Sequence, residues 1–221
     1  MCGRYTLKTP VEKLAEEFGF EASSAELPPN YNVAPTQQVA AVLEEGGERR
    51  LEMLRWGLIP SWADDPGIGS RMINARAETA PEKPSFRRAF RGQRCLIPAD
   101  GFYEWKRTNG SKQPYYIHMK EEHPFAFAGL WESWKEDGGP EIRSCTILTT
   151  EPNELLAGIH DRMPVILPNG SYDVWLDPEA ERDELYGLLA SYPEDEMEAY
   201  PVSRFVNSPQ NNDPRCIEPT A

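Results

Sequence analysis

Short apolar runs bounded by turn residues dominate the chain. QVAAVLE at 38–44 and RLEMLRW at 50–56 flank the polar turn EEGGE, a spacing that predicts a β-hairpin. RCLIPA (94–99), YYIHM (115–119), FAFAGLW (125–131), SCTILTT (144–150) and MPVIL (163–167) are further runs of strand length, separated by turns such as NGSK and EDGGPE. A helical stripe appears near the start, where Val11, Leu14, Ala15 and Phe18 share a face and Gly19 follows. Thr9 as the cap, Pro10 in the first turn and Glu12 completing a capping box predict its beginning. Residues 150–158 predict a short helix leading to His160. Asp177 before Pro178 predicts an acidic surface helix over about 178–190, with Leu185, Leu188 and Leu189 facing the core. A loose tail is expected after about residue 207. The pattern sums to an α+β single domain over residues 1–221: a curved or barrel-like, mainly antiparallel β-sheet flanked by a few helices.

Composition narrows this picture without changing it. The 221 residues are long enough for a sizeable core, no Gly/Ser-rich or charged linker divides them, and 21 prolines suit many turns. The four cysteines, Cys2, Cys95, Cys145 and Cys216, form no CxxC pair, so neither a zinc site nor a disulfide framework is signalled and a reducing cytoplasm is expected. No apolar run has spanning length and the polar start lacks a signal-peptide pattern, so no membrane association is expected.

The formal charge of −13 argues at first sight against nucleic acid, whose binding depends on neutralising phosphates. The charge is uneven, however. Residues 173–198 carry ten Asp and Glu against Arg182 alone, whereas Arg71, Arg76, Lys83, Arg87, Arg88, Arg91, Arg94, Lys106 and Arg107 cluster within 71–107 against Glu78, Glu82, Asp100 and Glu104. Such runs serve as solvated faces or as binding grooves, and sequence alone leaves both open.

The opening MCGRYT places Cys2 directly behind the initiator. Loss of Met1 would expose a 1,2-aminothiol, whose amine condenses with an aldehyde and whose thiol then closes a thiazolidine. Both groups are usable near neutral pH, with ordinary pKa values of about 7.7–8.0 and about 8.5. The same residue also suits an acyl-transfer nucleophile, or simply a small buried position. MINARAET (72–79) puts Asn74 and Arg76 on one side of an extended segment. IPADGFYEWK (97–106) sets Glu104 among aromatics that would raise its pKa and suit it to acid–base work. HDRMPV (160–165) supplies His160 beside Asp161 and Arg162. Taken singly, each has a structural reading: Asn74 as a turn former, Glu104 as a strand-edge ion pair, His160 as a helix C-terminal residue. His118 reads as a strand side chain and His123 as a turn residue.

Together and in order, MCGRY, YNVAPTQ, WGLIPSW, INARAET, IPADGFYEW, IHDRMPV and PVSR resemble the SRAP family (SOS-response-associated peptidase), from residue 2 to about 204. The resemblance implies a protein whose terminal cysteine, after loss of the initiator, captures the ring-opened aldehyde of an abasic site in single-stranded DNA as a thiazolidine crosslink. It assigns Cys2 as nucleophile, Asn74 as the group orienting it, Glu104 as acid–base carboxylate and His160 as the assistant in proton transfer. Arg4, Arg76 and Arg162 become DNA-contacting arginines and Trp62 an aromatic wedge beside the lesion. It implies neither metal nor organic cofactor, a monomer, and a cytoplasmic protein that joins the nucleoid when bound to DNA. Two other chemistries remain open on the Cys2 thiol: an N-terminal-nucleophile amidohydrolase of the glutamine amidotransferase kind, and a thiol peptidase that cleaves Met1–Cys2, which could accompany crosslinking as a maturation step. A binding module without chemistry is the fourth reading.

Overall fold

The computed structural model describes residues 2–22, 27–108, 110–136 and 138–220. The expectation about Met1 therefore lies outside the described residues, as do Asn109 and Asp137 of the NGSK and EDGGPE turns. In chain order the elements are β1 (Tyr5–Leu7), α1 (Val11–Phe18), β2 (Asn30–Val33), β3 (Gln38–Glu45), β4 (Glu48–Trp56), β5 (Asn74–Arg76), α2 (Arg87–Gly92), β6 (Arg94–Ala99), β7 (Gly101–Thr108), β8 (Ser111–Met119), β9 (Phe125–Lys135), β10 (Glu141–Thr150), α3 (Glu154–Ala157), β11 (Met163–Pro164), β12 (Ile166–Leu167), α4 (Tyr172–Leu176), α5 (Arg182–Gly187) and β13 (Met197–Pro201). Each apolar run singled out in the sequence is a strand, and MPVIL is two, broken at Val165.

Five strands close on themselves. β4 pairs with β3, β3 with β6, β6 with β9 and β9 with β10; β10 then returns to β4 through Ser144↔Arg55 and Cys145↔Trp56. The closing pair is parallel, as is β5 along β10; the other strand pairs are antiparallel. Closure removes the exposed edges that an open sheet would offer. The β3–β4 turn runs through Gly46 and Gly47 at φ 66° and 80°, the left-handed pair that a two-residue hairpin turn requires.

A second sheet, in the order β13-β8-β7-β1-β2, covers the barrel. Tyr5 and Phe102 from this sheet meet the barrel's Phe127 with ring centroids 5.7 and 6.0 Å apart, and Tyr5 also meets Trp56 at 5.4 Å. Because strand side chains alternate, Tyr103 points the other way, into a smaller cluster with Tyr116, Val202, Val206 and Cys216. Glu104 comes two residues after Phe102. The same alternation turns it inward, where it is 2% exposed.

Four local expectations are corrected. Thr9 does not cap α1: its hydroxyl and backbone N–H both go to Asp100, whose carboxylate is the stronger acceptor, and the helix starts after Pro10 without a side-chain cap. The acidic helix shrinks from 178–190 to α5. Asp177 accepts from the Glu179 N–H in a turn, Glu181 and Glu184 form the capping box, and Leu185 and Leu189 are buried while Leu188 is half-buried. Residues 208–220 are not loose, because Asn32 donates to the carbonyls of Val206, Ser208 and Asn211, and Cys216 is fully buried. Arg94 leaves the basic surface cluster: it is 4% exposed and donates to the carbonyls of Phe90, Arg91, Trp175 and Asp177, a cage that satisfies its donors and ties α2 to α4.

Candidate active site

Cys2 lies just before β1, fully buried, with its Sγ 3.8 Å from the Arg4 carbonyl. Asn74 opens β5 and is held there by the parallel ladder to Ile147, while Trp56 Nε1 donates to the Ile73 carbonyl at 2.8 Å. From that fixed position Asn74 Nδ2 donates to the Cys2 carbonyl at 2.8 Å. Asn74 Oδ1 is buried without a hydrogen-bond partner among the described residues.

Glu104 is 2% exposed, and its Oε2 stands 3.9 Å from His160 Nε2. The α3 turn delivers the histidine, with Asn153 capping the helix and the His160 N–H reaching the Leu156 carbonyl. The Arg162 N–H lies 3.0 Å from His160 Nδ1, and the same nitrogen is 3.2 Å from the Arg162 carbonyl, so the Arg162 backbone fixes the plane of the ring. Asp161 sits 3.0 Å from the same Nδ1.

Burial raises the Glu104 carboxyl above its ordinary range, and the nearby His160 opposes that shift. Burial also pushes the Cys2 thiol far up, and the charge of Glu104 pushes it further. The resting thiol is therefore protonated. It lies close enough to a basic carboxylate to feel its charge. A buried thiol, a proton-hungry carboxyl, an imidazole and a positioned amide thus converge from four separate parts of the chain.

The DNA-contact candidates divide. Trp62 is 57% exposed, and Met53 is the one other large hydrophobic side chain exposed among the described residues. Arg76 is exposed, two residues from Asn74 on the same side of β5. Arg4 is half-buried, and its guanidinium donates to Asn32 Oδ1 and to the carbonyls of Val206 and Asn207. Arg162 forms a forked pair with Glu78, at 2.6 and 2.9 Å, and also reaches the Thr149 carbonyl. Beside His160 a cleft of about 510 Å³ opens, walled by Trp105, Lys106, Arg107, Gly158 and Asp161. Among the described residues, no three or more His, Cys, Asp or Glu side chains are grouped to hold a metal ion.

The family model described as SOS response associated peptidase (SRAP) matches residues 1–209. The chain belongs to the SRAP family. It is 50% identical to the abasic site processing protein YoqW of Bacillus subtilis (strain 168), over 99% of each chain. It is 34% identical to the abasic site processing protein HMCES of Xenopus tropicalis, over 89% of this chain and 68% of that one. Among solved structures, a Bacteroides thetaiotaomicron protein superposes with a TM-score of 0.90 at 30% identity, covering all of both chains.

In this SRAP chain the sequence reading missed Glu78 and Asn32. Glu78 lies inside the INARAET motif but was passed over, although a carboxylate two residues beyond Arg76 was a signal that an arginine nearby would be held in place. Asn32 carried no signal beyond its place in YNVAPTQ, since the three carbonyls its side chain donates to lie more than 170 residues away.

Proposed function

We propose that this chain processes abasic sites in single-stranded DNA by becoming covalently joined to them through Cys2. The observation that carries the reading is the buried convergence of Cys2, Asn74, Glu104 and His160; the SRAP membership and the abasic-site names of its relatives support it. Loss of Met1 by hydrolysis of the Met1–Cys2 bond comes first and frees the α-amine. The same thiol, carboxylate and imidazole are suited to assist that cleavage.

The amine then attacks the aldehyde carbon of the opened sugar. Glu104 takes the amine's proton, and a proton returned by Glu104 or His160 leaves with the hydroxyl as water, giving an imine. The Cys2 sulfur adds to the imine carbon while its proton passes by way of Glu104 to the nitrogen, closing the thiazolidine. One water is released in total, with no change of oxidation state. Asn74 holds the Cys2 backbone so that both nucleophiles meet one carbon. Burial serves the last step: a thiol kept neutral stays available until the imine forms beside it.

Phosphates flanking the lesion are contacted by Arg76, and by Arg4 and Arg162 where their present partners yield; Lys106 and Arg107 line the cleft by which the strand passes His160. Trp62 stacks on the base beside the lesion. The test is an intact mass after incubation with a single-stranded oligonucleotide bearing one abasic site. Protein lacking Met1 plus oligonucleotide minus one water is expected, and Cys2→Ala should give no heat-stable adduct. A stable adduct from Cys2→Ala at wild-type yield, without reductive trapping, would overturn the thiazolidine.

A further inference from the structure

Glu132 is the least expected residue of the barrel. It sits in the middle of β9, 3% exposed, at a position where an apolar side chain would avoid desolvation altogether. Only part of its need is met. One carboxylate oxygen, Oε2, is buried with no hydrogen-bond partner among the described residues, and burial holds the group above its ordinary pKa against the opposing influence of Arg88 and Ser61.

The surroundings explain its presence. Ser61 immediately precedes Trp62, its Oγ accepts from Arg88 Nη1 at 2.8 Å, and both Ser61 and Arg88 bear on the Glu132 carboxyl, so α2, the wedge loop and β9 meet at this point. Trp134 lies two residues further along β9 and therefore on the same face. Its Nε1 donates to the carbonyl of Ala63, the residue immediately after Trp62, at 2.6 Å. Ser144, which pairs directly across from Glu132, accepts from the Ile59 N–H at 2.8 Å. One patch of the barrel wall thus grips the loop at residues 59, 61 and 63 and leaves Trp62 between the grips, 57% exposed. At the root of the same loop, Gly57 and Gly69 approach so closely that a Cβ on either would lie 2.5 Å from the other's carbonyl oxygen, so the loop's exit is fixed as well.

We propose that Glu132 is a positioning residue for DNA engagement, seating Trp62 through Ser61 so that its ring is pre-ordered for stacking on a base. The inference rests on the reading of Trp62 as the stacking wedge. An exposed ring on a slack loop must be ordered at the moment of binding, and a ring held by a gripped loop avoids that loss. The role concerns affinity and leaves the chemistry at Cys2 alone.

The experiment is a double-mutant cycle read as crosslinking rate against concentration of an abasic single-stranded oligonucleotide. Trp62→Ala should raise the half-saturating concentration about 5- to 100-fold, the range that stacking on one ring supplies. Glu132→Gln should raise it about threefold or more with the saturating rate unchanged, and should add less than about twofold when Trp62 is already Ala, because a residue acting only through the wedge has nothing left to position. Full additivity, or a loss confined to the saturating rate, would overturn the proposal. Wild-type affinity in Trp62→Ala would overturn the wedge itself and the proposal with it, whereas a weakened Trp62→Ala beside an unaffected Glu132→Gln would remove only the seat. If Glu132→Gln does not fold, Ser61→Ala takes its place in the same cycle with the same expectations.

Discussion

Asn74 donates through Nδ2 to the carbonyl of Cys2 at 2.8 Å, and its own Oδ1 is left buried with no partner among the described residues. A buried amide oxygen without a donor is destabilising by about 1–3 kcal/mol, so its retention calls for a donor that arrives in the reaction. The freed α-amine of Cys2 is such a donor. Asn74→Asp keeps an acceptor in place but turns the donating end into a carboxylate facing a carbonyl. It should slow crosslinking at saturating DNA by about tenfold or more while leaving binding of unmodified single strands unchanged. Single-turnover rates and a binding titration separate the two, and an unchanged rate would return Asn74 to a purely structural place.

Much of the barrel was legible because its strands are local. The β3–β4 hairpin, RCLIPA and SCTILTT each announce themselves by an apolar run between turn residues. What joins them was not legible: the parallel return of β10 to β4 through Cys145↔Trp56 links positions almost ninety residues apart and leaves no periodic trace. The same division runs through the site. IPADGFYEWK set Glu104 among aromatics, but that its side of the strand is the inner one depends on the second sheet. The failures also share a cause. Thr9 and Arg94 were assigned by local rules, and each was captured by a distant partner, Asp100 in one case and the carbonyls of Trp175 and Asp177 in the other.

Arg162 was expected on DNA, and its fork now holds Glu78 at 2.6 and 2.9 Å, two residues after His160 in the chain. The pair clamps the histidine loop to the segment following β5. Its hydrogen bonds to Arg162 draw the Glu78 carboxyl below the ordinary range. The clamp's contribution is therefore fully present above the ordinary Glu pKa of about 4.3 and is lost as pH falls through the depressed value. Glu78→Gln should lower the crosslinking rate between about 2- and 100-fold at neutral pH, the upper end corresponding to an ångström of misplacement. Its melting temperature should fall below wild type at pH 7 and converge with it in acid. A constant difference across the pH range would show that the pair does not titrate as described.

Arg76 stands exposed beside Asn74 on an otherwise acidic protein, which makes it the clearest phosphate contact to test. Arg76→Ala should weaken binding of unmodified single strands and flatten the dependence of log affinity on log salt by roughly 0.7, the share of one phosphate on a single strand. The crosslinking rate at saturating DNA should change much less. Titrations at three or more salt concentrations measure the slope, and an unchanged slope would remove Arg76 from the interface.

Glu104 separates function from stability most sharply. Burial raises its carboxyl above the usual range, so the folded chain holds that proton more tightly than the unfolded chain does. Below about pH 4.3 both states are protonated and the residue is neutral to stability. As pH rises past that point the unfolded carboxyl ionises first. The folded state loses stability until pH exceeds the raised value, and above it the loss is complete. Glutamine has nearly the same shape and no proton to lose. Glu104→Gln should therefore melt close to wild type near pH 4 and increasingly above it toward pH 8, while crosslinking slows by about 10²–10⁴-fold, the usual share of a general acid–base group. The pairing of a more stable protein with a slower reaction is what a buried carboxylate kept for chemistry predicts. Melts at several pH values and single-turnover crosslinking with excess protein test both halves. A variant that crosslinks at the wild-type rate would remove Glu104 from the chemistry, and one that melts lower than wild type at pH 8 would show that the carboxylate is held by its neighbours as a structural anion.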